Sequence, residues 1–135
     1  RDNKVNMEKI ILDTNFLLIP FQFRVDIFSE IDRIIHSNYS LFVLDKTKDE
    51  LNHIIERQKG KHKDAAKFAL QILEAKEIGV LKTKDQGLVD DIIIELGKKE
   101  KYIIATQDKD LKRELINQGN RVIVLRQKKT LILVE

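Results

Sequence analysis

The stretch Lys9-Ile10-Ile11-Leu12-Asp13-Thr14-Asn15 decides the reading of this chain: a short apolar run that ends abruptly on an aspartate. Such a run, with no polar alternation, predicts a strand covered on both faces, as in a parallel sheet packed between helices. A carboxylate placed where that strand ends lies on the edge at which open α/β sheets bind their ligands. Working outward, similar runs recur at residues 41–44, 80–82, 102–106, 121–125 and 130–134. Between them, apolar residues return at helical spacing: Ile27, Phe28, Ile31, Ile34 and Ile35, with Asn38 as a stop; Leu51, Ile54 and Ile55; Ala66, Ala69, Leu70 and Leu73; Leu88, Ile92 and Leu96; Leu111, Leu115 and Ile116. This alternation predicts an α/β domain with a mainly parallel central sheet. The last two strands are joined by Gln127-Lys128-Lys129 alone, too short for a parallel crossover, and so predict an antiparallel edge hairpin.

Composition narrows the function. With 135 residues, 42% hydrophobic and 35% charged, residues 7–135 make one folded domain, and the polar residues 1–6 before Met7 read as a loose leader or a remnant of cloning. The chain has no cysteine, which excludes disulfides, thiolate zinc sites, iron–sulfur clusters and cysteine nucleophiles. Its apolar runs are far too short to span a bilayer, and no signal-peptide pattern is present, so a cytoplasmic protein without membrane contact is expected. The net charge of +3 is too mild to name a partner. Nucleotide-binding loops of the G-x-x-x-x-G-K-[ST] or G-x-G-x-x-G kind are absent.

Acidic residues follow or face the strand ends: Asp13 after the first, Glu50 on the helix after the second, Asp90 and Asp91 opening the helix before the fourth, and Asp108 after the fourth. Taken singly, each has a plain role as a helix cap or first-turn charge, and Thr47-x-x-Glu50 reads as a capping box. Jointly they say more, because caps have no reason to converge. Three or four carboxylates on one edge repel one another unless a cation neutralises them. All-oxygen donors suit Mg²⁺ or Mn²⁺ better than zinc, and the three histidines, His36, His53 and His62, lack ligand spacing. Such an ion binds phosphate oxygens and stabilises in-line phosphodiester displacement, so the chemistry predicted is hydrolysis of a nucleic-acid backbone. A haloacid-dehalogenase-type phosphatase would need a second aspartate where Asn15 stands, and a receiver domain matches at Asp13 alone.

At these residues the chain resembles the PIN-domain family of metal-dependent ribonucleases. The likeness rests on D-T-N after the first strand, the lone mid-chain Glu50, D-x-x-I from Asp90 to Ile93, and T-x-D from Thr106 to Asp108. It is closest to archaeal members related to eukaryotic factors that process small-subunit ribosomal RNA, through residues 13–20, 25–28 and 104–112. The resemblance implies a PIN-like three-layer α/β/α sandwich. It implies that Asp13, Asp90 and Asp108 hold Mg²⁺ or Mn²⁺, that Glu50 completes the pocket or orients water, and that Asn15, Thr106 and Asp110 stand behind them. Asp91, one step from Asp90, is the alternative ligand. It also implies RNA as the partner, ribosomal RNA precursor first, together with a second copy of the chain and an antitoxin or ribosome-assembly protein, since toxins of toxin–antitoxin pairs share the acidic pattern.

Basic residues supply a candidate RNA surface at Arg57, Lys59, Lys61 and Lys63, with a further cluster at Arg121, Arg126, Lys128 and Lys129. Phe21 and Phe23 flank Pro20 beside the acidic edge and are candidates for stacking an unpaired base, while the other aromatics fall at core positions. The expectation is a divalent-metal-dependent endoribonuclease acting on single-stranded or loop RNA. The alternative is an RNA-binding module that keeps the fold without turning over.

Overall fold

The computed structural model describes residues 7–84 and 87–135, so the expected leader lies outside the described residues. β1 (Glu8–Leu12) sends Ile10 and Leu12 to one face of the sheet and Ile11 to the other, and all three are fully buried. Successive strand side chains alternate between faces, so a run with no polar position must be covered on both. β2 (Tyr39–Leu44), β3 (Gly79–Leu81), β4 (Ile103–Ala105), β5 (Val122–Arg126) and β6 (Thr130–Val134) complete a sheet in the order β3-β2-β1-β4-β5-β6. Neighbours run parallel except β5 and β6, which form the expected antiparallel hairpin. Gln127 and Lys128 both take left-handed backbone in its turn, the mirror-image geometry that matches strand twist.

The chain moves outward from β1 to β2 and β3, then returns to β4 on the other side of β1 and continues to β5. The boundary between β1 and β4 is therefore where the crossovers part, and a crevice opens beyond the carboxyl ends of those two strands. Their register, Ile10 opposite Ile103 and Leu12 opposite Ala105, brings Asp13 level with Thr106.

On one face, α1 (Ile19–Phe23), α2 (Ile27–Ile34), α3 (Thr47–Arg57) and α4 (Lys61–Ala75) pack through Ile19, Ile27, Ile31, Leu51, Ala66 and Ala69. On the other, α5 (Val89–Lys99) and α6 (Lys109–Asn117) pack through Ile92, Ile93, Leu111 and Leu115. The result is three layers, α/β/α, as expected. The 3-10 turn Thr14–Leu18 and α1 were not foreseen. α1 is only five residues long, with Pro20 in its first turn, where a missing amide costs nothing, and Arg24 in left-handed backbone at its end. Two helix readings also change. α2 stops at Ile34, short of Asn38, because Ile35 turns to extended backbone and buries its side chain. Leu88 is the N-cap of α5 and 74% exposed, not part of its apolar face.

Opposite the crevice, α5 closes tightly on the loop before β5. Buried Asn120 donates through Nδ2 to the carbonyls of Gly97 (3.1 Å) and Tyr102 (3.2 Å). A Cβ on residue 97 would stand 2.5 Å from Asn120 Oδ1, so only glycine fits without a shift.

Candidate active site

Asp13 leaves β1 in extended backbone and begins the 3-10 turn, its Oδ1 accepting from the Thr14 amide at 2.9 Å. Its Oδ2 accepts from Thr106 Oγ1 at 2.7 Å, and its own amide continues the sheet ladder to the Ala105 carbonyl at 2.9 Å. Thr106 is fully buried; its hydroxyl also accepts from the Asp108 amide at 3.1 Å. One threonine thus ties together the ends of the two central strands. Asn15 adds a second tie, accepting from the Gln107 amide at Oδ1 (3.0 Å) and from Gln107 Nε2 at its carbonyl (2.7 Å).

Glu50 does not close a capping box. The N-cap of α3 is Lys46, Thr47 lies inside the helix, and no side chain caps it. Glu50 Oε1 instead accepts from the Thr14 hydroxyl, which draws the first turn of α3 onto the end of β1. Asp108 does cap α6, its Oδ1 accepting from the amides of Asp110 (2.9 Å) and Leu111 (3.1 Å). The plain role and the sharper one coexist there, since Asp108 also stands within hydrogen-bonding reach of Asp90.

The electrostatics record this convergence. Burial pushes the Asp13 carboxyl up to about 6, against the Thr106 and Thr14 hydrogen bonds that favour its charged form, and the charges of Asp90 and Glu50 add to the rise. Asp90 is raised by partial burial first, then by Asp108, with Glu50 and Asp91 contributing. Of the two neighbouring aspartates, Asp90 lines the cleft of about 400 Å³ that holds Asp13, Thr14, Asn15 and Glu50. Both are exposed, and Asp91 lies outside that lining.

The structure corrects one supporting residue. The Asp110 carboxylate is 85% exposed and pairs with Arg113 at 3.3 Å, because it lies on the solvent side of α6; only its amide touches Asp108. Conversely, His53 lines the cleft, one turn after Glu50 on α3. Its i+3 spacing from Glu50 was the signal available in the sequence. Among Arg57, Lys59, Lys61 and Lys63, Lys61 lines a groove of about 1100 Å³ that shares Asn15 and Leu18 with the acidic cleft, and the other three do not. Phe21 lines the same groove, whereas half-buried Phe23 also packs against the main core.

As placed, no three Asp, Glu or His side chains among the described residues close on one point as a metal site. Asp13, Glu50 and Asp90 instead line one cleft, where the charges of Asp90 and Glu50 act on Asp13 and those of Asp108 and Glu50 act on Asp90. Their chemistry, carboxylate oxygen throughout with neighbouring negative charge helping to raise Asp13 and Asp90, suits a hard divalent cation.

The sequence pattern of the PIN-like domain matches residues 10–128. The chain belongs to the PIN-like domain family. Ribonuclease VapC4 of Methanocaldococcus jannaschii is 33% identical over 126 residues, covering 91% of this chain and 94% of that protein. Ribonuclease VapC9 of Archaeoglobus fulgidus is 33% identical over 129 residues, covering 96% and 90%. Among solved structures, the PIN domain endonuclease Utp24 shares the fold with a TM-score of 0.76 and 22% identity, over 93% of this chain and 90% of that one. In this PIN-like domain the acidic cleft sits where the strand order reverses, at β1 and β4.

Proposed function

We propose that this PIN-like domain is an endoribonuclease that hydrolyses phosphodiester bonds of unpaired RNA with the help of Mg²⁺ or Mn²⁺. The observation that carries the reading is that Asp13, Glu50 and Asp90, from three separate segments, line one cleft at the carboxyl edge of the central strands, with the charge of Asp108 acting on Asp90 beside it. The two relatives named as ribonucleases, matched over nearly their whole length, support RNA as substrate.

Asp13, Asp90 and Asp108 would hold the ion, which when bound supplies charge to the phosphate oxygens and to the attacking water. Thr106 and the Thr14 amide fix the orientation of Asp13 and favour its charged form. Glu50, anchored to Thr14 through Oε1, keeps its second oxygen for orienting water and taking its proton. Asp108, fixed by its cap bonds through Oδ1, acts on Asp90 beside it.

Purified protein should cut an unstructured RNA with Mn²⁺ or Mg²⁺ and stop on chelation, and Asp13→Asn should be inactive. A fully active Asp13→Asn variant, or cleavage indifferent to chelation, removes the proposal.

Two settings follow from that chemistry. The likeness in sequence implies ribosomal RNA precursors, while the two VapC-named relatives support the second setting, a toxin restrained by a protein partner. Strong expression in a host without the partner separates them: growth arrest with transcript cleavage supports the toxin, and normal growth supports the processing enzyme.

A further inference from the structure

We propose that the groove between α1 and α4 is a binding site for an unpaired base, stacked on Phe21 and Phe68, of an RNA strand whose backbone continues into the acidic cleft. The inference rests on the nuclease reading for the direction of the strand and goes beyond it in naming what the protein recognises. Phe21 and Phe68 are 39% and 40% exposed, although aromatic rings of this size ordinarily bury most of their surface. They come from different helices and face each other with centroids 6.1 Å apart at 51°, a tilted pair that leaves ring surface open to the groove.

Four further observations favour RNA over an apolar partner. The groove is lined by the cations Arg24 and Lys61 as well as by His62, with Asp64 as its one acidic side chain. Charge of that sign beside open aromatic faces is the combination that tracks a phosphate backbone and stacks its bases. The groove also adjoins the acidic cleft, with Asn15 and Leu18 lining both, so a strand seated on the rings lies next to the carboxylates. Its volume of about 1100 Å³ exceeds the usual range for a small-molecule pocket, about 300–1,000 Å³. Finally, Asn15 and Gln107 line it with amide groups suited to base edges. Stacking tolerates any base, so the site selects for unpaired strand rather than for sequence.

The test is binding of a fluorescent, unstructured oligoribonucleotide and of a matching strand lacking its bases, measured by anisotropy in EDTA so that cleavage plays no part. The double variant Phe21→Ala/Phe68→Ala should bind the base-bearing strand about tenfold or more weakly than wild type. The baseless strand should bind both proteins equally and weakly. Phe21→Leu/Phe68→Leu keeps apolar area without ring faces and should lose affinity as the alanine variant does, with circular dichroism confirming an intact fold for both. Unchanged binding by the alanine variant overturns the proposal. So does full retention by the leucine variant, which would mark the groove as a docking site for an apolar protein segment. Ring-dependent binding without metal-dependent cleavage would leave the groove standing and remove the nuclease reading; cleavage indifferent to both rings would do the reverse.

Discussion

Thr106 Oγ1 donates a 2.7 Å hydrogen bond to Asp13 Oδ2, joining the ends of the two central strands from positions 93 residues apart in the chain. Thr106→Val keeps the shape and removes the donor. A bond to a charged acceptor of this kind contributes about 1.5–3 kcal/mol. The variant should unfold at lower denaturant concentration by about that free energy at pH 7.5 and lose most RNA cleavage, with Thr106→Ser recovering both. Wild-type stability and activity in Thr106→Val would show that the bond does not orient Asp13.

The raised pKa of Asp13 makes a signed prediction for the metal-free protein. Between the ordinary value of 3.8 and about 6, the folded state holds a proton that the unfolded chain has released. Stability contributed by this group is therefore present at low pH and lost as pH rises through that window, by on the order of 2–3 kcal/mol. Asp13→Asn removes the cost of burying the charge, so in EDTA it should be more stable than wild type at pH 7.5, and the advantage should shrink toward pH 4. Urea unfolding across that range checks it. An advantage that grows as pH falls would reverse the sign and contradict the assignment.

Asp90 and Asp91 are adjacent in sequence and both exposed, but Asp90 lines the cleft and Asp91 lies outside it. Asp90→Asn should lower cleavage by orders of magnitude, while Asp91→Asn and Asp110→Asn should leave it within about twofold, as surface substitutions do. Initial rates with a fluorogenic RNA decide the matter. Loss on Asp91→Asn with an active Asp90→Asn would exchange the two roles.

Gly97→Ala tests the close approach at the far end of the sheet. The added methyl would meet Asn120 Oδ1 and Gln118 Nε2, both already engaged in hydrogen bonds. Overpacking of this sort costs about 1–3 kcal/mol, seen as a lower melting temperature with cleavage per folded molecule unchanged. An unshifted melting curve would show that the loop yields freely.

The layers and the terminal hairpin followed from local signals: unbroken apolar runs such as Ile10 to Leu12 demand cover on both faces, and the three-residue link after Arg126 forces a hairpin. The residues that went astray depended on what a side chain meets across space. Thr47-x-x-Glu50 has the spacing of a capping box, yet Glu50 turns to Thr14, 36 residues away, because the N-cap position falls one residue earlier, on Lys46. Asp110 follows the motif in sequence but faces solvent, a matter of helical phase on α6. Phe68 looked like core because its neighbours Ala65, Ala66 and Ala69 are, and only the packing of α1 against α4 reveals that its ring stays open. The sharing of one cleft by Asp13, Glu50 and Asp90 likewise has no local signature.

The central claim is that these carboxylates take a divalent cation together. Crystals of the protein grown near neutral pH and soaked in Mn²⁺ test it directly through anomalous scattering. The account predicts a manganese peak among Asp13, Asp90 and Asp108, absent from Asp13→Asn crystals treated in the same way. No peak in that cleft, in a preparation that still cuts RNA, would contradict it.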